Sequence, residues 1–289
     1  MNKLSRGLLG VSLAVAFSGA VAAQDGASIP QVLQITREFV KPGKAGMAHD
    51  KAESLFVQAM TRAKWPTRYI GMTSLSGKQR ALFFVSYASF EAWEKDTLAT
   101  AKNSALANGL EHAGVVDGEL LDSVDQGVFV FHPEMSLRAM SDLSHMRYME
   151  ISSYKVRPGH TAEWTEAVKL VKDAYEKGVP GSHWGAFEQR YGGDGGTYLI
   201  LTAHKTLAEI DRGFAESKQF REAMGEDGMK KLNELVEKSV ESSSHQLFAF
   251  NPRMSYVADE WMKSDGDFWK PKAAVEPAAK PATDKPAKP

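Results

Sequence analysis

Val-Lys-Pro-Gly at residues 40–43 returns as Val-Arg-Pro-Gly at 156–159, and Phe-Val-Phe-His-Pro-Glu-Met-Ser at 129–136 returns as Phe-Ala-Phe-Asn-Pro-Arg-Met-Ser at 248–255. The offsets, 116 from Val40 to Val156 and 119 from Phe129 to Phe248, are nearly equal. Two units of the same length therefore follow one another, which reads as an internal duplication. A repeat of roughly one hundred residues is too long for a solenoid and right for a small domain, so the chain is expected to carry its own pseudo-twofold partner.

Working outward from these motifs, each unit opens on period-2 alternation, residues 32–40 and 148–156, the pattern of a half-buried strand. Leu33, Ile35 and Phe39 share one face, with Met149 and Ile151 as counterparts, and Gln34, Thr36 and Glu38 share the other, matched by Glu150, Ser152 and Tyr154. The Pro-Gly turn breaks the strand, and helices are predicted over 44–63 and 161–177, the second with Trp164, Val168, Val171 and Tyr175 in one apolar stripe. Hairpins follow at 67–75 with 79–87 and at 184–191 with 197–204, turned by Ser76-Gly77 and by the cluster Gly-Gly-Asp-Gly-Gly at 192–196. That cluster lacks the following helix and the Lys-Ser/Thr of a phosphate cradle. A second helical region opens at Ser89 or Thr206 as N-cap, and a last strand closes each unit near 128–131 or 247–250.

The order β-α-β-β-α-β is the ferredoxin-like unit, whose helices cover one face of the sheet only. The expected fold is thus α+β, with tandem units at 30–137 and 145–256 packed sheet to sheet as an intrachain dimeric barrel. The polar strand faces carrying Gln34, Glu38, Glu150 and Tyr154 are expected to point inward, making the interior water-filled or a ligand site. Residues 257–270, with Trp261, Phe268 and Trp269, are expected to dock on the barrel as a short aromatic segment.

The ends and the composition set the surroundings. Residues 1–23 read as a secretory leader, with Lys3 and Arg6 ahead of an apolar run and Ala20-Val21-Ala22-Ala23 at the cleavage end, which predicts a periplasmic or secreted protein. The run is short of the ~20 residues of a spanning helix, so no stable membrane insertion is expected. Without Lys3 and Arg6 the chain has 33 basic and 36 acidic residues, a formal net charge of −3, which speaks against nucleic acid as a partner. Cysteine is absent, so an exported chain must rely on its apolar core. The Lys/Pro/Ala-rich residues 271–289 have nothing to bury and read as a disordered arm.

Chemistry-bearing residues are few. None of the eight histidines forms a His-x-x-x-His pair, so no zinc-type signature and no metal site is expected. Glu38, Glu150 and Tyr154 are the catalytic candidates, because two carboxylates meeting across the pseudo-dimer axis would raise one another's pKa and create a general base. The alternative is that both glutamates pair with Arg37, Arg147 or a lysine at the rim. His183 joins the catalytic set; Trp184 beside it would bind a planar molecule, Gln34 would line the same interior, and Arg190 with Tyr191 would contact an anion.

With the repeat, the strand order and the Pro-Gly turns in view, the chain resembles the dimeric α/β-barrel superfamily, and within it the NIPSNAP-like and antibiotic-biosynthesis-monooxygenase-like branches, over residues 32–255. The resemblance implies a range of functions, from cofactor-independent oxygenases to haem-degrading and chlorite dismutase-like haem proteins. Haem-degrading members use an Asn, a His and a Trp, for which His183 and Trp184 are the matches; no Asn-to-His spacing accompanies them on the first helix of either unit. The proximal His of the haem peroxidase-like members has no counterpart in residues 217–241. No cofactor is expected, haem being the alternative. The resulting expectation is a monomeric internal pseudo-dimer binding a small hydrophobic or aromatic molecule, with cofactor-independent monooxygenase-like chemistry. Its rival is a non-catalytic envelope platform for protein partners, recognisable by a barrel filled with Phe, Tyr and Met.

Overall fold

A computed structural model describes residues 29–140 and 142–270. The first half runs β1 (Val32–Val40), α1 (Met47–Ala63), β2 (Tyr69–Ser74), β3 (Arg80–Tyr87), α2 (Phe90–Lys102), α3 (Ser104–Gly118), β4 (Leu121–Phe131). The second runs β5 (Tyr148–Val156), α4 (Thr161–Gly178), β6 (Gly185–Tyr191), β7 (Thr197–His204), α5 (Ala208–Ser239), β8 (Val240–Phe250), and two short helices follow, α6 (Asp259–Ser264) and α7 (Gly266–Trp269). All strand pairs are antiparallel, and the order β1-β3-β2-β8-β5-β7-β6-β4 closes on itself as a barrel. Each half supplies four neighbouring strands. The halves join at two seams, β2 with β8 and β4 with β6. The expected leader, residues 1–23, and the Lys/Pro/Ala-rich residues 271–289 lie outside the described residues. Among the described residues no helix is long and apolar enough to cross a membrane.

Local signals explain most boundaries. Gly46, at φ 78°, ends the turn after the Pro-Gly and holds α1 back to Met47, three residues later than the pattern predicts. Ser89 Oγ accepts the Ala92 amide and opens α2, whereas Thr206 makes no side-chain cap for α5. Asn103 splits the first half's helical region in two by accepting the Leu106 amide, and in the second half Gly225, at φ 70°, kinks α5 without ending it. Gly192, at φ 79°, turns the β6–β7 hairpin so close to the Gln126 carbonyl that a Cβ would stand 1.9 Å from it. The glycine cluster is therefore a hairpin.

The barrel interior is apolar. Leu33 and Ile35 of β1, Met72 of β2, Leu82 and Phe84 of β3, Phe129 and Phe131 of β4, Met149 and Ile151 of β5, Phe187 of β6, Leu199 of β7, Phe248 and Phe250 of β8 form one buried cluster. This inverts the expected sidedness. Gln34, Glu38, Glu150 and Tyr154 stand on the opposite face of their strands, toward the helices. The apolar face is covered by the other half's sheet, which makes it the drier of the two, and the mixed face goes under amphipathic helices.

One end of the barrel is sealed. Trp269, 2% exposed, packs on Phe250, Trp261 and Phe268 at ring distances of 6.2, 5.2 and 4.9 Å, and its Nε1 donates to the Ser144 carbonyl at 2.6 Å. Arg147 lies 3.9 Å over the Phe268 ring and pairs with Asp265, tying the segment to the start of β5.

Candidate metal centre

On the helix side of the first half, four polar side chains meet between the helices and the sheet. Glu38 comes from β1, His49 and Glu53 from successive turns of α1, and Asp117 from the end of α3. Their exposures are 7, 2, 2 and 2%. His49 Nε2 lies 3.2 Å from Glu38 Oε2, 3.2 Å from Asp117 Oδ1 and 4.0 Å from Glu53 Oε1. One ligand atom from each residue falls within 4.8 Å of all the others.

A single imidazole proton cannot serve three carboxylates. Glu53 Oε1 and Asp117 Oδ1 have no hydrogen-bond partner, and neither has the Tyr69 hydroxyl of β2, whose ionisation burial and then the Glu53 and Glu38 charges push well up. Burial, followed by the charges of Glu38 and Asp117, raises Glu53 to about 10. Burial also raises Glu38, against the pull of His49. For His49 burial acts downward, but the Asp117 and Glu38 carboxylates outweigh it and lift the imidazolium to about 9. Leaving such groups uncompensated in a dry layer costs several kcal/mol per ion.

The second half shows that the fold does not require them. Its helix α4 buries Trp164, Ala167, Val168 and Ala174 with the spacing at which α1 buries His49, Ala52, Glu53 and Ala59. Tyr154, two residues before the end of β5, stands where Glu38 stands before the end of β1. Asp117 lies three residues before Leu120, whose carbonyl accepts the Lys41 amide; Ser239 accepts the Arg157 amide in the same way, which makes Val236 the counterpart. A Tyr-Trp-Val set thus occupies the sites of Glu38, His49 and Glu53, with Trp164 5.0 Å from Tyr154 and 5.5 Å from Tyr198, while Val236, at the sequence position matching Asp117, is 38% exposed and leaves that fourth site unfilled by it.

The other candidates are dispersed. Glu38 and Glu150 do not approach across the barrel, since each lies outside it on its own half; Glu150 lies 3.5 Å from His204 Nε2, and the neighbouring histidine holds the carboxyl below its usual range. Arg37 and Arg147 pair instead with Asp125 and Asp265. Tyr154 neighbours His245 at 6.0 Å in the same region as Glu150, and burial raises its phenol. His183 is tied to backbone, Nε2 to the Ala203 carbonyl at 2.9 Å, and Trp184 Nε1 donates to the Met135 carbonyl at 2.9 Å, so both fix loops around β6. Arg190 bonds Glu188 at 2.9 Å, Tyr191 is 63% exposed, and Gln34 lies half-buried on the helix side of β1. The expectation of no metal site rested on the lack of a His-x-x-x-His spacing; the signal present was His49 and Glu53 four residues apart on one helix.

The chain matches no protein-family profile and no curated protein sequence. Among solved structures it is similar to a "putative monooxygenase" from Fusobacterium nucleatum subsp. nucleatum, at 12% identity over 78% of this chain and 93% of that one, with a TM-score of 0.50. A protein of the same description from Lactobacillus acidophilus matches at 11% identity, 77 and 94% coverage and TM-score 0.47. A mutant chlorite dismutase from Candidatus Nitrospira defluvii matches at 10%, 84 and 98%, and 0.46. At these identities the likeness concerns the fold alone, a closed antiparallel barrel flanked by helices.

Proposed function

We propose that the protein is a metal-binding dimeric α/β barrel whose first half holds one divalent cation on Glu38, His49, Glu53 and Asp117. The observation that carries this is the convergence of three buried carboxylates on one imidazole nitrogen, where the second half has Tyr, Trp and Val. Ligands about 2.0–2.2 Å from a tetrahedral ion stand roughly 3.4 Å apart, close to the 3.2 to 4.0 Å between His49 Nε2 and its neighbours. Three oxygens and one imidazole suit Mn²⁺, Fe²⁺ or Zn²⁺; no thiolate is present for Cu(I), and Ca²⁺ wants six to eight oxygens at longer range. Such an ion neutralises the carboxylates and clamps β1 to α1 and α3. The leader-like start makes this an exported protein in the same reading, and the two halves a duplicated unit. The packed interior favours a structural barrel over one with a wide cavity.

The test is metal analysis of the purified protein, followed by calorimetric titration of Mn²⁺, Fe²⁺ and Zn²⁺ into chelator-treated protein. One ion per chain and a raised melting temperature are expected, both lost in Glu53→Gln and His49→Gln and kept in Glu150→Gln. Absence of binding at millimolar cation to folded wild-type protein would sink the reading.

A further inference from the structure

The barrel's two ends differ. Opposite the end sealed by Trp269, the inward-facing positions of β1, β3 and β4 change from apolar to charged: Arg37 is paired in register with Leu82 and Asp125, and Phe39 with Arg80. Gln189 of β6, opposite Phe129, and Gln246 of β8, opposite Ile151, continue this polar layer around the circumference. The mouth therefore has an apolar floor and a polar rim.

Two guanidiniums share one carboxylate there. Arg37 takes Asp125. Arg80 is held between rings, its guanidinium 5.7 Å from the Phe39 centroid and 5.2 Å from that of Phe248, and its buried Nε has no hydrogen-bond partner. Burial and then the neighbouring Arg37 act against its charge. Lys155, also on this rim, is occupied by the Gly195 carbonyl at 2.7 Å and by Asp194. Next to Arg80 in the chain, a depression of about 390 Å³ opens, a volume in the range of small-molecule sites, lined by Phe39, Val40, Pro42, Lys78, Gln79, Asp122 and Ser123, with Lys78 there to offset the Asp122 carboxylate.

We propose that this mouth binds a small aromatic monocarboxylate, its carboxylate accepting from Arg80 and its ring lying against Phe39. An anion at the guanidinium balances the second positive charge that Asp125 leaves uncompensated, and a planar fork suits a carboxylate. The Phe39 face and the neighbouring aliphatic wall give the ring its contact. This site is independent of the metal centre, which lies across β1 on the helix side.

The experiment is titration of benzoate into the full chain, followed by amide NMR shifts, with benzamide as the neutral control. Benzoate is expected to shift the amides of Phe39, Arg80 and Ser123, and benzamide to leave them unmoved. Arg80→Met, which keeps the aliphatic stem, should weaken benzoate at least tenfold, about 1.4 kcal/mol. Asp125→Asn, which releases Arg37, should tighten it severalfold. Equal response to benzoate and benzamide, or wild-type affinity in Arg80→Met, overturns the proposal. Should Arg80→Met fail to fold, Asp125→Asn decides alone, and unchanged or weaker binding in that variant overturns it as well.

Discussion

A histidine ringed by three carboxylates is tolerated without a cation only by keeping protons. Glu53 moves from 4.5 to about 10 and His49 from 6.5 to about 9, so above pH 4.5 the folded chain binds more protons at these groups than the unfolded one does. Stability must then fall as pH rises, across 4.5 to 10 for Glu53 and 6.5 to 9 for His49, with Glu38, Asp117 and Tyr69 as the charged and polar groups facing them. Chelator-treated protein is expected to lose melting temperature between about pH 6 and pH 9, and cation-loaded protein to lose less. A flat or rising profile of the chelated form would show that the protons are not held there. Replacing the set with its counterparts, Glu38→Tyr, His49→Trp and Glu53→Val together, is expected to abolish the cation response while retaining the fold, read by circular dichroism and metal titration. Only part of this was legible in the sequence: Glu38 stood out by strand alternation, though for another role, and His49 and Glu53 by their helical spacing, whereas four residues scattered from 38 to 117 carry no common spacing.

At the scale of elements, the alternation in 32–40 and 148–156 found both opening strands to the residue, because a strand with two unlike faces writes its period into the chain. It could not say which face the helices cover. β4 and β8 extend much further than the closing strands expected at 128–131 and 247–250, since residues 122–126 and 241–245 lie exposed near the open mouth and need no apolar alternation. Side-chain caps behave more simply. Ser89→Ala is expected to cost about 1 kcal/mol in denaturant unfolding through loss of the Ala92 bond, and Thr206→Ala much less, because Thr206 caps nothing with its side chain. Equal losses would mean that α5 is capped in some other way.

Across the whole molecule, the closing segment adds its own side chains to the barrel core. Trp269→Ala removes the largest fully buried side chain and leaves Phe250 facing a void, for an expected loss of about 3–5 kcal/mol by chemical denaturation. A loss below about 1 kcal/mol would show that the seal is superficial. The duplicated motifs pointed to the barrel because each half, taken alone, leaves one sheet face without cover.

The two seams carry a further consequence for assembly. β2 meets β8 over three residue pairs and β4 meets β6 over four, yet these short edges enclose the entire apolar interior. A half displays the same complementary surface whether its mate is tethered or belongs to another molecule. Refolding at high concentration should accordingly produce exchanged dimers, in which the first half of one chain closes on the second half of its neighbour. Two polypeptides cut between the halves should find each other and rebuild one barrel.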